Sequence, residues 1–222
     1  MRTSLVRRGA MTAVVVIALT LAGCATSPPT RFYVLTPIEV HGAETSSVSD
    51  ALTIGVRSVD VPDELDRLQI MTRTGPNSVH FAEFEQWSAP LRESVVQIIA
   101  GNLASLLPGD QVAVYPWIPG TAVDRQVIVE ITRFDGELGG QCALRARWRV
   151  LGRRGGPPAV YGESAFSDAA GPDYAALVAT QSRLLGALSA EIAATIRNGR
   201  ADATPPSPAS HSLAGNRSKV DE

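Results

Sequence analysis

The stretch Gln141-Cys142-Ala143-Leu144-Arg145-Ala146-Arg147-Trp148-Arg149-Val150-Leu151 carries the strongest structural signal in this chain. Cys142, Leu144, Ala146, Trp148 and Val150 alternate with Gln141, Ala143, Arg145, Arg147 and Arg149. A strand turns successive side chains to opposite faces, so this segment has one apolar face and one that is mainly arginine. Residues 126–134 read as a partner strand, joined to it by the turn Asp135-Gly136-Glu137-Leu138-Gly139-Gly140. A third strand over 159–167 follows Gly155-Gly156-Pro157-Pro158, and the three make an antiparallel meander. One apolar sheet face needs a cover.

Two amphipathic helices supply it. Leu91, Val95, Ile98, Ile99, Leu103 and Leu106 recur at three- and four-residue steps and form one stripe. Pro90 suits a first helical turn, Glu93 suits the positive end of the helix dipole, and Pro108-Gly109 stops the helix. The second helix begins near Pro172-Asp173 and ends at Asn198-Gly199, which predicts a left-handed cap. Its Tyr174, Leu177, Val178, Leu184, Leu185, Leu188 and Ile192 share a side with Gln181, a polar residue expected at an edge or against a partner. Nearer the start, 31–35, 52–59 and 112–115 read as strands, 41–50 as a loop, and Gly75-Pro76-Asn77 as the turn of a hairpin. The pattern predicts an α+β fold, a two-layer sandwich of mostly antiparallel sheet with two long helices packed on one face.

The chain of 222 residues opens with Arg2, Arg7 and Arg8, then an apolar run over 10–22, then Leu21-Ala22-Gly23-Cys24. Charged, apolar, then small is the layout of a secretory signal. An apolar run of about 13 residues is too short to span a bilayer of roughly 30 Å. A cysteine directly after Leu-Ala-Gly resembles a bacterial lipobox, in which the cysteine is lipidated and the chain is cut before it. Residues 1–23 are therefore read as a lipoprotein signal, 24–30 as a lipidated tether, 31–199 as the domain and 200–222 as a disordered tail. Ala25 stands where an aspartate would resemble an inner-membrane retention signal, which favours the outer membrane. Loss of the three signal arginines moves the formal net charge from −2 to −5, which argues against nucleic acid as a partner. With Cys24 lipidated, Cys142 is the only other cysteine, so the fold rests on its core and not on a disulfide.

Catalytic and ligand-binding patterns are missing. His41, His80 and His211 are far apart, with no metal-ligand spacing to Cys142, whose apolar strand face predicts a buried, inert thiol. Gly136-Glu137-Leu138-Gly139-Gly140 joins two strands and opens no helix, so it is not a phosphate loop. Asp60, Asp63, Glu64 and Asp66 do not have the spacing of an EF-hand and read as a solvated acidic loop. For Arg145, Arg147 and Arg149 two readings stand: a solvated or ion-paired face, or an interface for an acidic surface or lipid head groups.

Several segments recur together along the chain. They are Tyr33-Val34-Leu35, Ile54-Gly55-Val56, Val61-Pro62-Asp63-Glu64-Leu65-Asp66-Arg67-Leu68-Gln69-Ile70, Ala82-Glu83-Phe84-Glu85-Gln86-Trp87-Ser88-Ala89-Pro90-Leu91, Phe134-Asp135-Gly136, and the Tyr174 helix with Gln181-Ser182. In order and spacing, from about residue 32 to 197, they resemble the PqiC/YmbA-like family of ABC-type transport auxiliary lipoproteins. Leu68 departs from the proline of many relatives and Glu64 from a common aromatic. The resemblance implies a non-enzymatic, cofactor-free lipoprotein on the periplasmic face of the outer membrane, serving an MCE-type lipid transport system that maintains envelope integrity. Its implied partners are an MCE-domain protein that spans the periplasm and the membrane that takes the anchor, with a second copy of the chain as a further candidate. Asp66, Arg67 and Gln69 lie in the most recognisable segment, in or beside a charged loop between strands. They either meet the partner or a neighbouring copy, or Asp66 and Arg67 pair with each other or cap the loop. The rival reading is a substrate-binding or structural envelope lipoprotein of another transporter. A binding protein of that kind needs two lobes around a cleft, for which about 165 folded residues are short. An envelope enzyme with an unrecognised site is the third.

Overall fold

The alternation in 141–151 becomes a central strand in the computed structural model, which describes residues 27–38, 51–153 and 159–201. Cys24 and the signal, the loop at 41–50, the Gly155-Gly156-Pro157-Pro158 turn and the tail from 202 lie outside the described residues. The elements are β1 (Arg31–Tyr33), β2 (Thr53–Asp60), β3 (Gln69–Gly75), β4 (Ser78–Trp87), α1 (Leu91–Leu106), β5 (Gln111–Val114), β6 (Arg125–Gly136), β7 (Gln141–Gly152), β8 (Val160–Ala169) and α2 (Tyr174–Ala201).

The meander is present: β6, β7 and β8 are antiparallel neighbours, with Val129 opposite Trp148 and Trp148 opposite Gly162. Cys142, Leu144, Ala146, Trp148 and Val150 are buried, while Arg145, Arg147 and Arg149 are exposed. Both helices cover the apolar face, so the α+β reading with two helices on one face holds. The sheet itself is divided in two. Five strands run in the order β5-β2-β6-β7-β8 and three in the order β1-β4-β3. The long ladders are antiparallel, but β2 lies parallel to both β5 and β6, and β1 lies parallel to β4. A parallel pair needs a long crossover, and the β3–β4 hairpin together with α1 provides one between β2 and β5.

The α1 stripe buries Leu91, Val95, Ile98, Ile99 and Leu103, and it also buries Asn102. Burying an amide is costly unless it is bonded. Asn102 Nδ2 donates to Ser189 Oγ on α2 at 3.1 Å, and its Oδ1 accepts the Ile38 amide at 2.8 Å. The Thr36 amide donates to Ser182 Oγ at 3.1 Å. The segment after β1 is thereby laced between the two helices. Gly186 makes room for it, since a Cβ there would fall 2.4 Å from Ile38 Cγ2.

Asp173 caps α2 by accepting the Ala176 amide at 2.8 Å. The other end departs from the expected left-handed cap. The helix runs through Asn198-Gly199 to Ala201, and Gly199 is not among the glycines with positive φ. One glycine costs a helix only about 1 kcal/mol relative to alanine, which does not force a stop. Gln181 also departs from expectation. It is buried in the apolar stripe, and its Oε1 has no hydrogen-bond partner among the described residues.

Candidate functional site

The connection from β2 to β3 closes tightly, with the amides of Leu65 and Asp66 donating to the Pro62 carbonyl at 2.9 and 3.2 Å. Val61 and Leu65 turn inward and are buried, which fixes the loop on the core and leaves Asp63, Glu64, Arg67 and Leu68 exposed. Asp66 turns to α1. Pro90 occupies the N-cap and offers no side-chain acceptor. Asp66 supplies one: Oδ1 accepts the Arg92 amide at 3.2 Å and Oδ2 takes Arg92 Nε at 3.0 Å. Arg92 also reaches Asp60 at 3.2 Å and Asp63 at 3.8 Å. The cluster sets three carboxylates around one guanidinium and stays net negative.

Arg67 lies over the Phe81 ring, 4.3 Å from its centroid. Gln69 opens β3 opposite Gln86 and is exposed. Of the three residues singled out in the sequence, Asp66 is engaged with the scaffold, and Arg67 and Gln69 present themselves at the surface. Arg92 escaped the sequence reading although a signal was there. A cation in the first turn of a helix opposes the helix dipole at a cost of about 0.3–1 kcal/mol, which acids close by offset.

The loop and the arginine face belong to one continuous surface. A groove of about 470 Å³ on the outer side of the five-stranded sheet is lined by Asp60, Glu130, Arg147, Arg149, Tyr161 and Glu163. Arg147 is 3.7 Å from Glu130. A second groove, of about 530 Å³, is bounded by Pro62, Glu64 and Leu65 on one side and by Arg133 and Arg145 on the other. Its floor holds Asp135, a buried carboxylate clamped by Arg73 at 2.9 Å and Arg133 at 2.9 Å. A third groove, of about 670 Å³, runs from Val34, Leu35, Val114 and Tyr115 past Val96 and Ile98 to Asp60, Arg92 and Glu93.

Burial, and then the nearby Asp135 carboxylate, push the Cys142 thiol up to about 12, so it is not a thiolate near neutral pH. Gly136-Glu137-Leu138-Gly139-Gly140 spends its amides locally: Gly139 donates to the Gly171 carbonyl and Gly140 to the Glu137 carbonyl. His80 is exposed on β4, and His41 and His211 lie outside the described residues. Among the described residues no group of three or more His, Cys, Asp or Glu could hold a metal ion, and no helix is long and apolar enough to cross a membrane.

Residues 33–193 match the family described as the ABC-type transport auxiliary lipoprotein component. The chain belongs to this family. One relative of this auxiliary lipoprotein is the intermembrane transport lipoprotein PqiC of Escherichia coli (strain K12), 28% identical over 135 residues, 61% of this chain and 71% of the relative. PqiC of Shigella flexneri matches to the same extent. Two crystal structures share the fold. An uncharacterized protein superposes with a TM-score of 0.63 at 21% identity, covering 76% of this chain and 99% of that one. The protein XCC0632 from Xanthomonas campestris does so with a TM-score of 0.60 at 15% identity, covering 78% and 98%. The family match takes in the 61–70 segment, the arginine face and most of α2 of the auxiliary lipoprotein, and begins after Cys24.

Proposed function

We propose that this auxiliary lipoprotein is the non-enzymatic, outer-membrane end of an MCE-type lipid transport system, anchored through Cys24 and facing the periplasm. The carrying observation is the family match over 33–193 placed directly behind Leu21-Ala22-Gly23-Cys24. The intermembrane transport named for the PqiC relatives supports the same direction. On this reading 1–23 is removed, 24–30 is the tether, 31–199 is the working domain and 200–222 is a tail.

The partner-binding surface is the one that carries Arg67 and Gln69, with Asp66 holding the loop to α1. Loops fixed on a rigid scaffold commonly carry binding, and the adjoining arginine face extends the patch. The partners are an MCE-domain protein that spans the periplasm and neighbouring copies of the same chain. The test is a pull-down from detergent-solubilised membranes, with mass spectrometry of proteins and co-eluting lipids. Recovery of an MCE-domain protein and its ABC permease is the expected result. Reproducible recovery of another transporter's components, with no MCE-domain protein, would overturn the reading.

A further inference from the structure

Gln111-Val112-Ala113-Val114-Tyr115-Pro116-Trp117-Ile118-Pro119-Gly120-Thr121-Ala122-Val123 contains no charged residue. Both aspartates that bound it bond to the backbone, Asp110 accepting the Leu52 amide at 2.9 Å and Asp124 the Thr53 amide at 2.9 Å, and Asp124 also lies 3.5 Å from the Arg153 guanidinium. Only part of this apolar material enters the core. Beyond β5 the chain forms a loop with Tyr115 56% exposed and Ile118 78% exposed.

The loop holds its shape. The Trp117 ring lies against β2, where a Cβ on Gly55 would come within 2.6 Å of Cζ3. Tyr115 meets that ring edge-on at 5.1 Å between centroids, and the Thr121 amide closes the turn on the Ile118 carbonyl at 3.0 Å. Pro116 and Pro119 restrict the backbone further. Val34 lines the same groove as Tyr115 and is 60% exposed. A single exposed isoleucine is ordinary on a soluble surface, but here Ile118 shares a fixed loop with exposed Tyr115, and exposed Val34 adjoins it.

The covalent path from Cys24 selects the occupant. Six residues, and so seven Cα-to-Cα steps, separate Cys24 from Arg31, the first residue of β1, which leads directly to Val34. At about 3.3–3.6 Å per extended step they reach on the order of 25 Å. The domain therefore cannot move far from whatever holds Cys24. Tyrosine and tryptophan concentrate at membrane interfaces, where an apolar ring and a polar tip are both accommodated. Within 111–123 the only polar side chains beside the two aromatic ones are those of Gln111 and Thr121, so the tip itself offers apolar and aromatic surface, while the charged side chains of Asp60, Arg92 and Glu93 lie farther along the same groove. We infer that the loop 115–119 rests on the bilayer that holds the anchor, with Ile118 in the acyl boundary and Tyr115 and Trp117 at head-group depth. The inference rests on the anchoring of Cys24.

Trp87 and Trp148 are 3% and 5% exposed, which leaves Trp117 as the indole a lipid quencher reaches. The lipidated protein is placed in phosphatidylethanolamine–phosphatidylglycerol vesicles with or without brominated-chain phosphatidylcholine, and flotation and tryptophan emission are both read. The expected result is flotation, with bromine removing up to about one third of the emission, the share of one indole in three. Ile118→Asp still floats and melts like the parent, but most of the quenching disappears. Flotation without quenching, or with equal quenching in Ile118→Asp, overturns the loop contact while leaving the anchor intact. Failure to float overturns the anchor and the loop contact together.

Discussion

Replacing Trp148 with alanine tests the packing of sheet on helix at its most sensitive point. The indole is 5% exposed, and its Nε1 donates to Ser164 Oγ at 2.8 Å, which in turn donates to Glu191 of α2 at 2.7 Å. Truncating a buried tryptophan costs about 3–5 kcal/mol, a large share of the 5–15 kcal/mol that typically holds a domain together. Gly162, directly opposite, offers the reciprocal change: a Cβ there would lie 2.1 Å from Trp148 Cζ2 and 2.3 Å from Cε2. The ring is buried and bonded to Ser164, so moving it aside is unfavourable and Gly162→Ala should cost about 1–3 kcal/mol through overpacking. The added methyl has room once the indole is gone. The double variant should therefore lose at least about 1 kcal/mol less than the sum of the singles, well outside the 0.3–0.5 kcal/mol scatter of independent sites. Urea titration followed by far-ultraviolet circular dichroism measures all three without relying on tryptophan emission. A Trp148→Ala loss below about 1 kcal/mol, or additivity of the pair, would refute this account of the strand face.

Other expectations are checked as directly. Cys142 should resist Ellman's reagent at pH 8 in the native protein and react fully in guanidinium, because burial holds its thiol near 12; prompt native reaction would show that the strand face opens. Asp66→Ala removes the borrowed cap of α1 and should cost about 1 kcal/mol, a drop of a few degrees in Tm. Arg67→Ala should leave the melt nearly unchanged and weaken partner capture, and equal losses in melt from both changes would contradict the division of roles. Glu85 is held below its usual 4.5 mainly by the hydrogen bond from Arg31. A depressed carboxylate stabilises the fold above its unfolded pKa and loses that contribution as pH falls through the folded value. The Tm gap between the parent and Glu85→Gln should therefore be widest near neutrality and close below about pH 4.5, and a gap independent of pH would show that the ion pair does not act this way.

Periodicity made both helices, the meander and the buried side of 141–151 legible, because each is written in local spacing. Division into two sheets was not. The pairing of β1 with β4 joins Arg31 to Glu85, and no local pattern encodes a partner so far along the chain. The candidate site shows the same limit. Asp66 stood out as a charged residue in a recognisable segment, but its role depends on Arg92, 26 positions away. Asn102 was invisible within an otherwise apolar stripe because its partners, Ile38 and Ser189, lie on other elements. The grooves that join the 61–68 loop to the arginine face arise only from tertiary packing.

The lacing of residues 34–38 between the helices has a mechanical consequence. With the domain anchored through Cys24 and engaged elsewhere by a partner, as proposed above, tension would enter at Arg31. β1 is an edge strand of only three residues, poorly suited to bear it alone. Arg31 and Tyr33 both grip Glu85 of β4, so the first pull passes into the hairpin. Thr36 then hands load to Ser182 on α2, and Ile38 to Asn102 on α1. Between Arg31 and Ile38 the force is shared among a strand and both helices, and peeling β1 away would begin to prise the two helices apart.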